Sequence, residues 1–266
     1  MLFLKVKSMK HRLNKKVCFV NTYLITMLFT FLMYSVNLQA QDDLIKGILQ
    51  GVDVVNKQVL NITALSDEEE NKIGEDLDKE IMKDFDVGKE KKYDLEKIFT
   101  NIKKYIKRTQ INYRYTVLKD NSINAFAIAG GKIYLLTGLL KAVDTEDEIA
   151  FVIGHELAHI ELKHCINRVQ YAAIASKVEP NLGEIVQVAY SIYSTPYSKY
   201  DEYAADDLGV ELMQKAGYKK EGAIKFFEKL IELEKEYQQD KKDPLNDFIS
   251  SHPTAEKRIE RIKSKK

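Results

Sequence analysis

Gly154–His164 reads GHELAHIELKH, and these eleven residues hold three of the five histidines in the chain. The stretch sits inside TEDEIAFVIGHELAHIELKHCINRVQYAAIA, residues 145–175. Thr145 followed by Glu148 has the spacing of a capping box, which predicts a helix start. Apolar side chains then fill most of the circumference, so this helix is expected at the buried centre of the fold. Residues four apart on a helix lie about 40° apart around the axis and about 6 Å along it. His155 and His159 therefore face the same way, as two ligands of one zinc would. Glu156, rotated by about 100°, is close enough to hold a water beside that metal and take its proton. A helix face that spells the pattern by chance is the alternative. It would bury two imidazoles and a carboxylate without partners, at a cost of several kcal/mol. His164, nine residues after His155, falls about 180° round the same helix and is excluded from the metal. It is expected to be a helix-end histidine near the C-terminal dipole.

A catalytic zinc needs a third protein ligand. SKYDEYAADDLG, Ser198–Gly209, supplies Glu202 and Asp206, again one helical turn apart. Asp201, Asp207 and Glu211 stand beside them, so the residues alone leave a solvated acidic face equally open.

Upstream, LSDEEENKIGEDLDKEIMKDF opens with Ser66 and Glu69, a second capping box, and carries a stripe of Ile73, Leu77, Ile81 and Phe85 that predicts a helix. Another helix is expected over about 94–108, and one over 44–60. INYRYTVLKD alternates, and NAFAIAGGKIYLLTGLL reads as two short strands around Gly130-Gly131. These make a sheet of about three strands in an otherwise helical protein. Residues 178–200 are broken by Pro and Gly around an apolar patch, and read equally as a surface helix or a flap over a site. Residues 201–266 read as helical apart from the break at KKDPLNDFISSHP.

Six basic side chains and no acid fall in the first forty residues, followed by an apolar run from Val17 to Val36 and then NLQA. This is the order of a secretory signal cleaved after Ala40, with an N-terminal membrane anchor as the alternative. Residues 41–266 keep 35 basic against 40 acidic side chains, with no basic patch for nucleic acid. Only Cys165 would remain after cleavage, which leaves no internal disulfide and marks a buried structural thiol.

Four motifs in order, NAFAIAGGKIYLLTGLL, HELAH, EYAAD and SSHPTAEKRI, resemble the gluzincin metallopeptidases related to the CAAX prenyl proteases, and within them the exported bacterial branch. The resemblance runs from about Ser66 to Ile262. It implies a zincin-like α+β fold, mainly α with a small sheet around the HExxH helix, in a single domain over 41–266. One zinc ion per chain would be held by His155, His159 and Glu202, with Glu156 as general base and then proton donor. Asp206 would accept a hydrogen bond from a ligand histidine, and Arg258 would brace the acidic cluster. Asn124, Ala125, Phe126 and Ala127 would form an edge strand that pairs with an extended substrate. His252 would stabilise the oxyanion or fill the fourth metal position in a latent form. The turn after NAFA often contains proline in the family and here runs Ile128-Ala129-Gly130-Gly131. Tetratricopeptide repeats, present in some exported relatives, are not expected, and neither are the multiple spans of the prenyl-protein proteases. The function implied is an exported metalloendopeptidase acting on misfolded or misassembled envelope proteins. The rivals are a latent, chaperone-like zinc protein and a helical structural protein.

Overall fold

The computed structural model describes residues 65–175, 182–193, 195–237 and 255–265. The segment 44–60, the N-terminal residues 17–36 and His252 lie outside the described residues. What is described is mainly helical with one small sheet, the α+β class expected from the sequence. Nine helices are described: α1 (Asp67–Ile81), α2 (Leu95–Lys103), α3 (Thr137–Ala142), α4 (Glu146–Glu161), α5 (His164–Ala175), α6 (Leu182–Ile192), α7 (Lys199–Lys215), α8 (Glu221–Tyr237) and α9 (Ala255–Ser264). The strands are β1 (Arg114–Leu118), β2 (Ala125–Ile128) and β3 (Lys132–Leu136). None of the described helices is long and apolar enough to cross a membrane.

Local chemistry accounts for the boundaries. Ser66 caps α1 with the reciprocal Glu69 bonds of a capping box, and four acids in its first turn suit the positive end of the helix dipole. Ile73, Leu77 and Ile81 are fully buried on its inner face, whereas Phe85 lies beyond the helix end. β2 and β3 form the hairpin around Gly130 and Gly131, whose φ of 77° and 88° only glycine adopts cheaply. β1 pairs with β3 in parallel, giving the order β1-β3-β2 and leaving β2 at the edge of the described sheet.

α2 stops at Lys103, five residues short of the expected 108. Tertiary partners capture the backbone there: the Glu161 carboxylate accepts the N–H groups of Lys107 and Arg108. Arg108 in turn donates to the Ile160 carbonyl and pairs with Asp67 and Glu70, tying α1 to the C-terminal end of α4.

α4 is buried without interruption from Glu148 to Ile160 and packs against α2, β2, α7 and α8. Burying a Leu, Ile or Phe side chain is worth about 1.5–3 kcal/mol, so this helix organises the core. The long helix expected over residues 145–175 is in fact two. α4 ends at Glu161, Lys163 takes a φ of 63°, and α5 starts afresh at His164.

Candidate metal centre

α4 and α7 cross with almost no space between their backbones. A Cβ added to Gly154 would meet the Gly209 carbonyl at 2.8 Å, and one on Gly209 would meet the His155 nitrogen at 2.9 Å. Two glycines thus set the approach, and Glu202, two turns before Gly209, comes to face the histidine pair on α4. Ser198 opens α7 as its N-cap and accepts from the Asp201 N–H.

Nε2 of His155 lies 3.1 Å from Nε2 of His159. The Glu202 carboxylate is 3.5 Å from each of them, and all three residues are buried. A tetrahedral zinc with bonds near 2.0–2.1 Å has ligand-to-ligand edges of roughly 3.3–3.4 Å, so two imidazoles and one carboxylate at these separations fit zinc. It is the one such His/Cys/Asp/Glu group among the described residues. Glu156 is buried on the same helix, 2% exposed.

Charge braces one side of this trio. Asp206 lies 3.1 Å from His155 Nδ1, and Arg258 of α9 donates to both Asp206 oxygens at 2.8 and 2.6 Å. Arg258 Nη1 is 3.1 Å from the Glu202 carboxylate, and the Phe227 ring lies 4.4 Å from the guanidinium. Burial works against the ionised Asp206 carboxylate, yet the neighbouring Arg258 and His155 hold it below its ordinary value. Burial likewise disfavours a charged His155, but its bonds to Asp206 and Glu202 prevail and push it up to about 9.

On the other side the groups that touch His159 directly are rings. Burial drives His159 well below the usual imidazole value and lowers His164 as well. The Tyr197 ring stacks on His159 at 4.0 Å and 21°, and Arg168 lies 4.1 Å over the Tyr197 ring while donating to the Thr195 and Tyr193 carbonyls. Burial pushes the Cys165 thiol up to about 12, and it contacts the Tyr197 hydroxyl at 3.2 Å, which fits an inert structural thiol.

His164 requires a correction. It stands not at the tail of the HExxH helix but at the head of the next one, with Nδ1 3.0 Å from His159 Nδ1. Tyr197, Arg168 and Gly209 were not anticipated from the sequence either. Ser198, directly before α7 and three residues before Asp201, carried a legible N-cap signal.

The residues Ala125, Phe126 and Ala127 lie in β2, with Asn124 just before it; β2 is an edge strand that packs against α4. Phe126 stacks on Tyr134 at 4.8 Å and meets Tyr193, just after α6, at 5.3 Å. α6 also packs against α1, and its Tyr190 hydroxyl donates to Asp84, three residues past the end of α1. Within the segment 178–200, α6 is a helix with Val186 and Ala189 buried, and Tyr193 just beyond it meets Phe126 of the edge strand.

Sequence comparison agrees with this geometry. The chain is 32% identical over 154 residues to the mitochondrial metalloendopeptidase OMA1 of Arabidopsis thaliana, covering 56% of this chain and 30% of that protein. It is 29% identical over 170 residues to the metalloprotease LoiP of Escherichia coli K12, covering 58% and 62% respectively. A putative β-barrel assembly-enhancing protease of Vibrio cholerae is 29% identical over 165 residues, covering 55% and 33%. The chain thus spans less than two thirds of the length of each. Residues 89–266, which include every donor described above, match peptidase family M48, and it is to this family that the chain belongs.

Proposed function

We propose that the protein is a zinc-dependent metalloendopeptidase of an exported branch related to the CAAX prenyl proteases. Its substrates would be misfolded or misassembled proteins of the cell envelope. The observation that carries the catalytic part is the buried triangle of His155, His159 and Glu202 with Glu156 on the same helix. The basic start and apolar run of residues 1–36 support export, by a cleaved signal or a retained anchor, with the domain over 41–266.

Zinc, when bound, supplies Lewis-acid polarisation of a water and of the scissile carbonyl. Glu156 takes the proton from the attacking water and later delivers it to the amine nitrogen as the C–N bond breaks. Asp206 holds His155 by its Nδ1–H, and Arg258 pairs with the two carboxylates around it. β2, at the edge of the described sheet, pairs from Asn124 through Ala127 with an extended substrate backbone. His252, six residues before Arg258, stabilises the oxyanion or blocks the fourth metal position in a latent state.

Metal analysis of the full chain, paired with casein cleavage, tests this. Wild type should hold one zinc and cleave; Glu156→Gln should keep the zinc and lose about 100-fold or more in rate. No zinc at one equivalent, or equal cleavage by the Gln variant, would sink the reading. His252→Ala should change the rate in either direction, and an unchanged rate removes His252 from the site.

A further inference from the structure

Lys163 is the described non-glycine residue with a positive φ, at 63°, a conformation that costs an L-residue about 1–2 kcal/mol. Its effect is to turn the chain between α4 and α5 so that His164, which a continuous helix would carry away, folds back over His159. The two rings meet at 5.1 Å and 67°, with Nδ1 facing Nδ1 at 3.0 Å. On the far side of the ring, His164 Nε2 is 3.4 Å from an Asp201 oxygen. Asp201 is itself held by the Ser198 hydroxyl at 2.8 Å.

Proton accounting leaves one arrangement for this chain of groups. Nε2 is the His159 nitrogen that faces His155 and Glu202, so it must carry the lone pair offered to a metal. The ring proton of neutral His159 is then on Nδ1. His164 Nδ1 must accept it, which puts the single proton of His164 on Nε2, toward the Asp201 carboxylate. Each donor has an acceptor, and the series ends on an anion.

We propose that His164 is a positioning residue of the zinc site: it accepts the His159 Nδ1–H and so fixes the tautomer and ring orientation that present Nε2 to the metal. The proposal rests on the zinc reading above and assigns His159 a neutral partner where His155 has a carboxylate. Groups that orient a ligand histidine in this way typically contribute about 10- to 100-fold in metal affinity.

The test compares two substitutions of nearly equal shape in the full chain. His164→Asn keeps an acceptor oxygen close to where Nδ1 stood, and His164→Leu has none. Zinc affinity is read by competition with a chromophoric chelator, and ligand-field geometry from the visible spectrum after cobalt(II) loading. His164→Leu should bind zinc about 10- to 100-fold more weakly and shift the cobalt spectrum. His164→Asn should stay within about 3-fold of wild type with its spectrum retained. Equal affinity in wild type and the Leu variant would overturn the proposal, as would equal losses in both variants, which would mean packing and not acceptance. Should the Leu variant fail to fold, the Asn variant decides alone: near-wild-type affinity upholds the proposal, and a loss of about 10-fold or more defeats it. A wild-type chain that binds no zinc overturns the zinc reading and the proposal together.

Discussion

The two ligand histidines are one turn apart on one helix, yet they are held by opposite means. His155 rests on a bed of full charges, Asp206 and Arg258, with Glu202 drawn into the same network. His159 also faces Glu202. On its other side it rests directly on two rings, the stacked Tyr197 and the His164 imidazole, with the charges of Arg168 and Asp201 one contact further out. The charged side is rigid but fragile, since every member is buried and needs its partners. The ring-lined side relies on ring contacts and hydrogen bonds, whose individual losses are smaller. A buried metal site thus need not be supported symmetrically.

The largest effect that would break this contrast comes from Arg258→Met. It leaves Asp206 and Glu202 buried without their cation, and urea denaturation should show a loss of about 3–5 kcal/mol. A loss below about 1 kcal/mol would mean that the charged side is not the stiffer of the two. Next comes the seam between the two ligand-bearing helices. Gly209→Ala would place a Cβ 2.9 Å from the His155 backbone nitrogen. We expect about 1–3 kcal/mol of destabilisation by the same assay, with weaker zinc binding as the helices part. On the ring-lined side, Arg168→Ala removes two hydrogen bonds to carbonyls and the contact over Tyr197. A loss of about 1–2 kcal/mol is expected in thermal unfolding, and a loss as large as that of Arg258→Met would erase the contrast.

The smallest signal is a difference of slopes with pH, since one proton changes stability by at most about 1.4 kcal/mol per pH unit. In the metal-free chain His155 is raised to about 9, so its stabilisation is whole below about 6.5 and is lost as pH climbs through about 9. His159 and His164 are lowered, so theirs is whole above about 6.5 and declines on acidification. Urea midpoints at several pH values should show His155→Asn flattening the alkaline limb and sparing the acid one. Flattening of the acid limb instead would reverse the two assignments.

Much of this arrangement was legible in the residues. The HExxH spacing, the capping box at Ser66 and the Thr145 cap depend on local chemistry, and so does the Gly130-Gly131 hairpin. Features that depend on distant partners were not. Nothing at Leu162-Lys163 announces a break, because leucine and lysine are good helix formers and no Gly or Pro stands there. The misreading of His164 follows from that alone. The end of α2 was likewise hidden, since the Glu161 carboxylate that captures its following N–H groups lies more than fifty residues away. Glu202 could be named as a candidate but not distinguished from its acidic neighbours by spacing. Its partner across the interface is chosen by Gly154 and Gly209, and glycine carries no side-chain signature of what it lies against.

That glycine contact also bears on how the protein would acquire its metal. Two helices whose main chains come this close cannot slide without opening the core, so we expect the donor atoms to stand preorganised before any ion arrives. Capture would then cost little ordering entropy, and removal by a chelator should leave a folded apoprotein able to reload. On this view occupancy is governed by the route into the site and by competition among ions, and maturation is uncoupled from folding.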